Sequence, residues 1–175
     1  MSSFIDPGTI VAQSGIAKGQ TVADLGCGGG FYSVAAAKQV GNSGMVFAVD
    51  IQESKLAATQ SAGRHLGVNN ISVVKADLEK PVTGIAENSC DAVLTTSVLH
   101  EIGDKEALLR NAYRLLKTGG LLVTVEWKKE ATTFGPDMAS RIAREDLLHL
   151  LERLGFRKDK DIDAGKFHYA MVFIK

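Results

Sequence analysis

A glycine-rich run at residues 24–30 carries the clearest chemical signal in the sequence. It reads Asp24-Leu-Gly26-Cys-Gly28-Gly-Gly30, an acid two positions ahead of a G-x-G-x-G pattern. Glycines let a ligand approach the backbone closely, and a helix that follows such a turn offers its N-terminus to the ligand. Several classes of cofactor are bound in this way. The run therefore predicts a ligand site without yet naming the ligand.

Two common cofactor patterns do not match the run. A dinucleotide fingerprint needs a third glycine, but Phe31 or Ser33 stands at that position in the two possible registers. A P-loop needs a lysine soon after the glycines, and the first one is Lys38. Nicotinamide and triphosphate binding are therefore disfavoured.

The elements around this run alternate between strands and helices. Asp6-Pro7 is a helix start signal, with aspartate as the N-cap and proline at the first helical position. Apolar runs and helical spacing predict five strands interleaved with helices. Gly119-Gly120 is expected to end the helix that follows the fourth strand. The predicted strands are Gln20–Asp24, Met45–Val49, Ile71–Val74, Asp91–Thr96 and Leu121–Val125, and the predicted helices are 6–13, 31–39, 53–66, 104–116 and 142–154.

The end of the chain has a different pattern. Two strand-like runs, Phe156–Ile162 and Phe167–Ile174, are separated only by Asp163–Lys166. This connection is too short for a crossover helix, so the two strands must pair antiparallel. We predict an α/β fold: a doubly wound, Rossmann-like, seven-stranded sheet, mostly parallel, with an antiparallel C-terminal hairpin and helices on both faces. Residues 1–175 are expected to form a single domain.

Polar residues recur where the predicted strands end. In an open α/β sheet, ligands bind beyond the carboxyl ends of the strands, where the strand order reverses. The chemistry is therefore expected along one rim of the sheet. The rim residues are Asp24, the glycines of the turn, Asp50, Asp77, Thr95–His100 and Glu126.

The run at 24–30 resembles the first motif of the class I S-adenosylmethionine-dependent methyltransferases. That cofactor carries an ammonium and a sulfonium but no phosphate, so an acid in the turn suits it. The resemblance implies that Asp50 binds the ribose hydroxyls, that Ile51 faces the adenine and that Asp77 takes the adenine amino group. The cofactor residues implied in this way are Asp24, Gly26, Gly28, Gly30, Asp50, Ile51, Asp77, Leu78 and Thr95.

The acceptor side carries a second resemblance. Val98-Leu-His-Glu-Ile and Val125-Glu-Trp-Lys-Lys are similar to segments of the ubiquinone/menaquinone-biosynthesis-like small-molecule methyltransferases. The resemblance implies a small-molecule acceptor, although a protein acceptor stays open. His100 is the candidate base, and Glu126 and Trp127 are expected to line the acceptor pocket. The long loop 127–140 is a candidate binding loop.

Composition excludes several other classes of function. The 175 residues contain 20 basic and 20 acidic side chains, so the chain lacks the net positive charge that attracts nucleic acids. No apolar stretch is long enough for a membrane helix and no signal peptide is recognisable, so we expect a cytoplasmic protein. Cys27 and Cys90 lack the spacing of a metal site.

The alternative hypothesis is a non-catalytic S-adenosylmethionine-binding or scaffold protein of the same fold.

Overall fold

The computed structural model describes residues 5–175 as a seven-stranded sheet with helices on both faces. Chain order gives α1 (Pro7–Ser14), β1 (Thr21–Leu25), α2 (Phe31–Val40), β2 (Met45–Asp50), α3 (Glu53–His65), β3 (Ile71–Lys75), β4 (Cys90–Thr96), a 3₁₀ turn (Leu99–Glu101), α4 (Lys105–Leu115), β5 (Leu116–Trp127), α5 (Arg144–Arg153), β6 (Arg157–Ile162) and β7 (His168–Ile174).

The strand order is β3-β2-β1-β4-β5-β7-β6. The first five strands are parallel, and β7 runs antiparallel to both β5 and β6. The predicted doubly wound sheet with an antiparallel C-terminal hairpin is thus confirmed. The strand order reverses between β1 and β4, which makes the crevice above these two strands the expected ligand site.

Side chains alternate between the two faces of the sheet. On one face, Ile10 of α1 and Val40 of α2 pack on Val22 and Leu94. On the other face, apolar residues of α4 and α5 pack on residues of opposite parity in the same strands. This alternation decides which side of the rim each strand-end side chain reaches.

Two predicted elements, β5 and the last helix, differ from the observed ones by more than one residue at an end. The helix before β5 ends at Leu115 rather than at the glycines, because Leu116 already pairs with Cys90 in the sheet. Gly119-Gly120 instead form an irregularity inside β5, where a Cβ on Gly120 would lie 2.9 Å from the carbonyl oxygen of Lys117. The last helix begins at Arg144 rather than at residue 142, because Ala143 is extended and serves as its N-cap.

Candidate functional site

Two adjoining cavities open above the carboxyl ends of β1, β2 and β4. The larger cavity has a volume of about 800 Å³ and the smaller cavity about 200 Å³. Five residues line both cavities and so form the passage between them: Gly26, Asp50, Gln52, Val98 and Glu101. Together the cavities lie in the size range of small-molecule sites in proteins.

The glycine-rich turn forms the floor of the larger cavity. Gly26 and Gly28 have positive φ values of 82° and 50°. A Cβ on Gly26 would lie 2.3 Å from Cγ2 of Val98, whereas a Cβ on Gly28 would meet no atom within 4 Å. Gly26 is thus needed for packing, and Gly28 keeps space open where a ligand meets the backbone.

Asp50 ends β2 and is fixed by its neighbours. Its Oδ2 accepts a hydrogen bond from the backbone N–H of Gly28 at 3.0 Å, and its Oδ1 accepts one from the N–H of Gln52 at 2.9 Å. Each carboxylate oxygen can accept a further bond. A rigid carboxylate with free acceptor capacity can therefore bind two adjacent hydroxyl groups of a ligand.

The smaller cavity is lined by apolar side chains together with four acidic residues, Asp50, Asp77, Glu79 and Glu101. Leu78, Val98 and Ile102 line it together with Ile51, whose side chain is exposed. Asp77 lies at the edge, where its Oδ1 accepts from the N–H of Glu79 at 3.0 Å. The hydrogen bond from Lys80 lowers the pKa of Asp77 below its usual value. The cavity thus offers apolar surface for a ring together with the Asp77 carboxylate as a hydrogen-bond acceptor.

Asp24 does not line either cavity. It is fully buried in β1, and its Oδ2 accepts a hydrogen bond of 2.5 Å from Oγ of Ser33 in the first turn of α2. Its Oδ1 is buried and has no partner among the described residues. Burial, assisted by the charge of nearby Asp50, raises the pKa of Asp24 to about 6. The side chain therefore lies behind the turn and links β1 to α2.

Two other predicted cofactor residues are also absent from the cavity walls. Thr95 is fully buried in β4 and projects to the face opposite Thr96, which does line the larger cavity together with Ser97. Gly30 packs against α3, where a Cβ would lie 2.7 Å from Oγ1 of Thr59. Strand alternation explains the first case and helix packing the second.

Glu126 and His100 lie beneath the rim rather than in the larger cavity. Oε1 of Glu126 accepts hydrogen bonds from the N–H groups of Val98 and Leu99 at 3.0 and 2.9 Å. Nδ1 of His100 is 3.6 Å from Oε2 of the same carboxylate. Neither side chain lines a cavity. Glu126 therefore holds the turn after β4, in which Ser97 has a positive φ of 51°.

The opposite wall of the larger cavity is aromatic. It includes Tyr32, Trp127 and His168, and it is completed by Ile5, which precedes α1, and by Pro7, the first residue of α1. Trp127 is where the sequence predicted it, but His168 was missed because only carboxyl ends of strands were considered. A signal was present: the predicted C-terminal hairpin makes β7 antiparallel, so the first residue of β7 must lie at the same rim.

The loop after Trp127 is held from inside by Arg141. This side chain is 4% exposed and donates hydrogen bonds to the carbonyl oxygens of Lys128, Glu130, Phe134 and Pro136. Its guanidinium also lies 5.3 Å from the centre of the Trp127 ring. The candidate binding loop is therefore held in place beside Trp127, but none of residues 128–140 lines the larger or the smaller cavity.

Comparison with known proteins identifies the family. A family model described as a methyltransferase domain matches residues 16–155. A solved S-adenosylmethionine-dependent methyltransferase from Aquifex aeolicus superposes with a TM-score of 0.89 at 27% identity, covering 98% of this chain and 90% of that one. The chain belongs to the class I S-adenosylmethionine-dependent methyltransferases. The motif at 24–30, which suggested this family, is the turn described above.

A curated relative and a further solved structure are also similar to this chain. The ubiquinone/menaquinone biosynthesis C-methyltransferase of Klebsiella pneumoniae is 32% identical over 155 residues, which are 88% of this chain and 59% of that protein. The chain thus spans about three fifths of the length of this curated relative. The [4+2]-cyclase SpnF shares the fold, with a TM-score of 0.80 at 16% identity and coverage of 97% and 80%.

The residues present fit the cofactor of the family. Asp50 has free acceptor capacity for ribose hydroxyls, and the apolar side chains of the smaller cavity, with the Asp77 carboxylate beside them, suit an adenine ring and its amino group. Gly28 leaves room at the backbone for the methionine part.

Among residues 5–175, no cluster of side chains is able to hold a metal ion. No helix in this range is long and apolar enough to cross a membrane.

Proposed function

We propose that this methyltransferase transfers the methyl group of S-adenosylmethionine to a small-molecule acceptor held in the larger cavity. The observation that carries the proposal is the continuity of the two cavities through Gly26, Asp50, Gln52, Val98 and Glu101. One end of this space suits the adenosine, and the other end is walled by aromatic side chains. The name of the Klebsiella pneumoniae relative, a C-methyltransferase, supports a carbon acceptor.

In this proposal the chain's own residues act mainly by binding and orientation. When bound, the cofactor supplies a methyl group already activated by a sulfonium. Asp50 and the smaller cavity fix the adenosine, and Gly28 allows the backbone to approach the methionine part. Trp127 and Tyr32 confine the acceptor on the opposite side. Correct alignment of the reacting atoms supplies much of the rate in such a displacement, so a strong base is not required of every acceptor.

The first test measures cofactor binding. S-adenosylhomocysteine is titrated into the protein by calorimetry, with NADH as the comparator. We expect micromolar binding of S-adenosylhomocysteine and none of NADH. Asp50→Ala is expected to weaken binding by about tenfold or more, because charge-assisted hydrogen bonds to the ribose are lost. The matched control is Glu53→Ala. Glu53 is an exposed acid three residues after Asp50, and its side chain forms an ion pair with Lys75.

The second test looks for turnover. The protein is incubated with deuterated S-adenosylmethionine and fractionated small-molecule extracts, and products carrying the heavy methyl group are found by mass spectrometry. Labelled small molecules would support the proposal, and label on protein alone would contradict the small-molecule acceptor. Cofactor binding with no labelled product would favour the alternative, a non-catalytic binding protein of the same fold. A cytoplasmic location stays a prediction.

A further inference from the structure

His168 occupies an unusual place in the sheet. It is the first residue of β7 and pairs with Trp127, the last residue of β5. Because β7 runs against its neighbours, this first residue lies at the rim where the parallel strands end. The side chain lines the larger cavity although the residue is 92% buried. His168 is therefore placed to meet whatever fills the acceptor end.

The imidazole of His168 has unused hydrogen-bonding capacity. Its Nδ1 is buried and has no partner among residues 5–175. Burial, together with the positive charges of Arg141 and Lys128, lowers the pKa of His168 to about 4. The ring is thus neutral near pH 7, with one nitrogen that donates and one that accepts. A buried polar atom without a partner is costly, and a bound ligand can remove that cost.

The surroundings of the ring favour an uncharged ligand. His168 lies against Trp127 with the ring centres 4.0 Å apart, and Phe134 packs on the same tryptophan. The guanidinium of buried Arg141 lies 5.3 Å from the centre of that tryptophan ring. The acids of the cavity, Asp50 and Glu101, belong to the passage toward the smaller cavity. A cation at the His168 end would therefore meet a nearby positive charge without a facing carboxylate among the residues that line this wall.

We propose that His168 is a specificity-determining residue of the acceptor site: its imidazole hydrogen-bonds an uncharged hydroxyl group of the acceptor, and the Arg141 side chain behind it disfavours ammonium-bearing acceptors. This inference rests on the proposed small-molecule acceptor. Trp127 supplies the apolar surface against which the rest of the acceptor lies, and His168 selects among molecules of similar shape by their polar group.

The test uses three probes of nearly the same shape. They are p-cresol, p-xylene and protonated 4-methylbenzylamine, titrated by NMR into protein saturated with S-adenosylhomocysteine. In the unmodified protein, p-cresol should bind about fivefold more tightly than p-xylene, as one neutral hydrogen bond allows. The amine should bind more weakly than p-cresol. In His168→Phe the advantage of the hydroxyl should disappear, because phenylalanine keeps a ring but offers no partner.

Two controls separate recognition from folding. His149→Phe makes the same change at an exposed site on α5 and should keep the preference for p-cresol. If His168→Phe does not fold, ¹⁵N-histidine spectra of the unmodified protein decide. Of the four histidines, the one that stays neutral down to about pH 4 should shift on adding p-cresol.

Several outcomes would overturn the proposal. They are equal affinities for p-cresol and p-xylene in the unmodified protein, an intact preference in folded His168→Phe, no binding of either probe, or no shift of the neutral histidine. Failure of the proposed function is seen separately, as loss of S-adenosylhomocysteine binding or absence of labelled small molecules. The two hypotheses can thus fail independently.

Discussion

At the scale of single residues, Gly26 and Gly28 differ in their surroundings although they belong to one turn: Gly26 packs against Val98, and Gly28 faces open space. Gly26→Ala should lower the free energy of unfolding by about 2–4 kcal/mol, since its Cβ would overlap Val98. Gly28→Ala should cost only about 1–2 kcal/mol for its left-handed backbone and remain folded. Its methyl group would enter the cavity and weaken S-adenosylhomocysteine binding. Denaturant titration and calorimetry measure both effects, and unchanged binding in Gly28→Ala would contradict the assigned cofactor position.

Asp24 predicts a pH dependence of stability in the protein without cofactor. The pKa of its carboxyl is about 6 when folded against 3.8 as the ordinary value. The folded state thus holds this proton more tightly, so the stabilisation is complete below about pH 4 and is lost as the pH rises through 6. Asp24→Asn should gain stability relative to the unmodified protein between pH 4 and 7, by about 2–3 kcal/mol.

Chemical denaturation at several pH values measures this gain. Asp161→Asn is the control, because hydrogen bonds from Lys158 and Arg144 lower the pKa of the half-exposed Asp161 carboxyl. Its contribution is lost only as the pH falls below about 4, outside the window of Asp24. An Asp24→Asn profile parallel to that of the unmodified protein would show that Asp24 is charged throughout the range.

At the scale of elements, Glu126 joins the end of β5 to the turn after β4. Glu126→Leu should lower the free energy of unfolding by about 2–4 kcal/mol, because two buried N–H groups lose their acceptor. Glu126→Gln keeps an acceptor oxygen and should recover much of this loss. Thermal unfolding compares the two variants, and equal stability would mean that the hydrogen bonds to Val98 and Leu99 contribute little.

The loop that follows β5 depends on one side chain. A lysine at position 141 cannot donate hydrogen bonds to several loop carbonyl oxygens at once, as the guanidinium of Arg141 does. In Arg141→Lys, backbone amide hydrogen exchange should therefore become faster across residues 128–140. Arg153→Lys, at an exposed site on α5, is the matched control. Mass-detected hydrogen exchange gives the comparison, and exchange as slow as in the control would show that the aromatic contacts alone hold the loop.

Elements also explain how far the site could be predicted from sequence. Strand endings located the rim, and Asp50, Asp77 and Trp127 line the cavities where they were expected. The sequence does not reveal which side chains near a strand end face a cavity and which stay within the sheet, because this depends on how the helices pack on each face. Asp24, Thr95 and Glu126 therefore project below the rim, although their positions along the chain were right.

At the scale of the whole molecule, the larger cavity lies between elements that are far apart along the chain. The glycine turn follows β1, whereas the aromatic wall comes from α2, β5 and β7, with residues at the start of α1 beside it. Saturating S-adenosylhomocysteine should raise the unfolding temperature, with a stabilisation of about 2.7 kcal/mol at a hundredfold excess over its dissociation constant. Asp50→Ala, with binding weakened about tenfold or more, should lose about half of this stabilisation or more at the same ligand concentration. A shift of the same size in that variant would place the ligand elsewhere.

The reversed direction of β7 has a consequence for how new acceptor preferences can arise. His168 reaches the rim directly after the short connection 163–167, which lies far along the chain from Asp50 and Asp77. Residues inserted in that connection would extend the acceptor wall without lengthening a strand or disturbing the glycine turn. Evolution or protein engineering can therefore diversify the acceptor through one hairpin while the cofactor machinery is inherited unchanged.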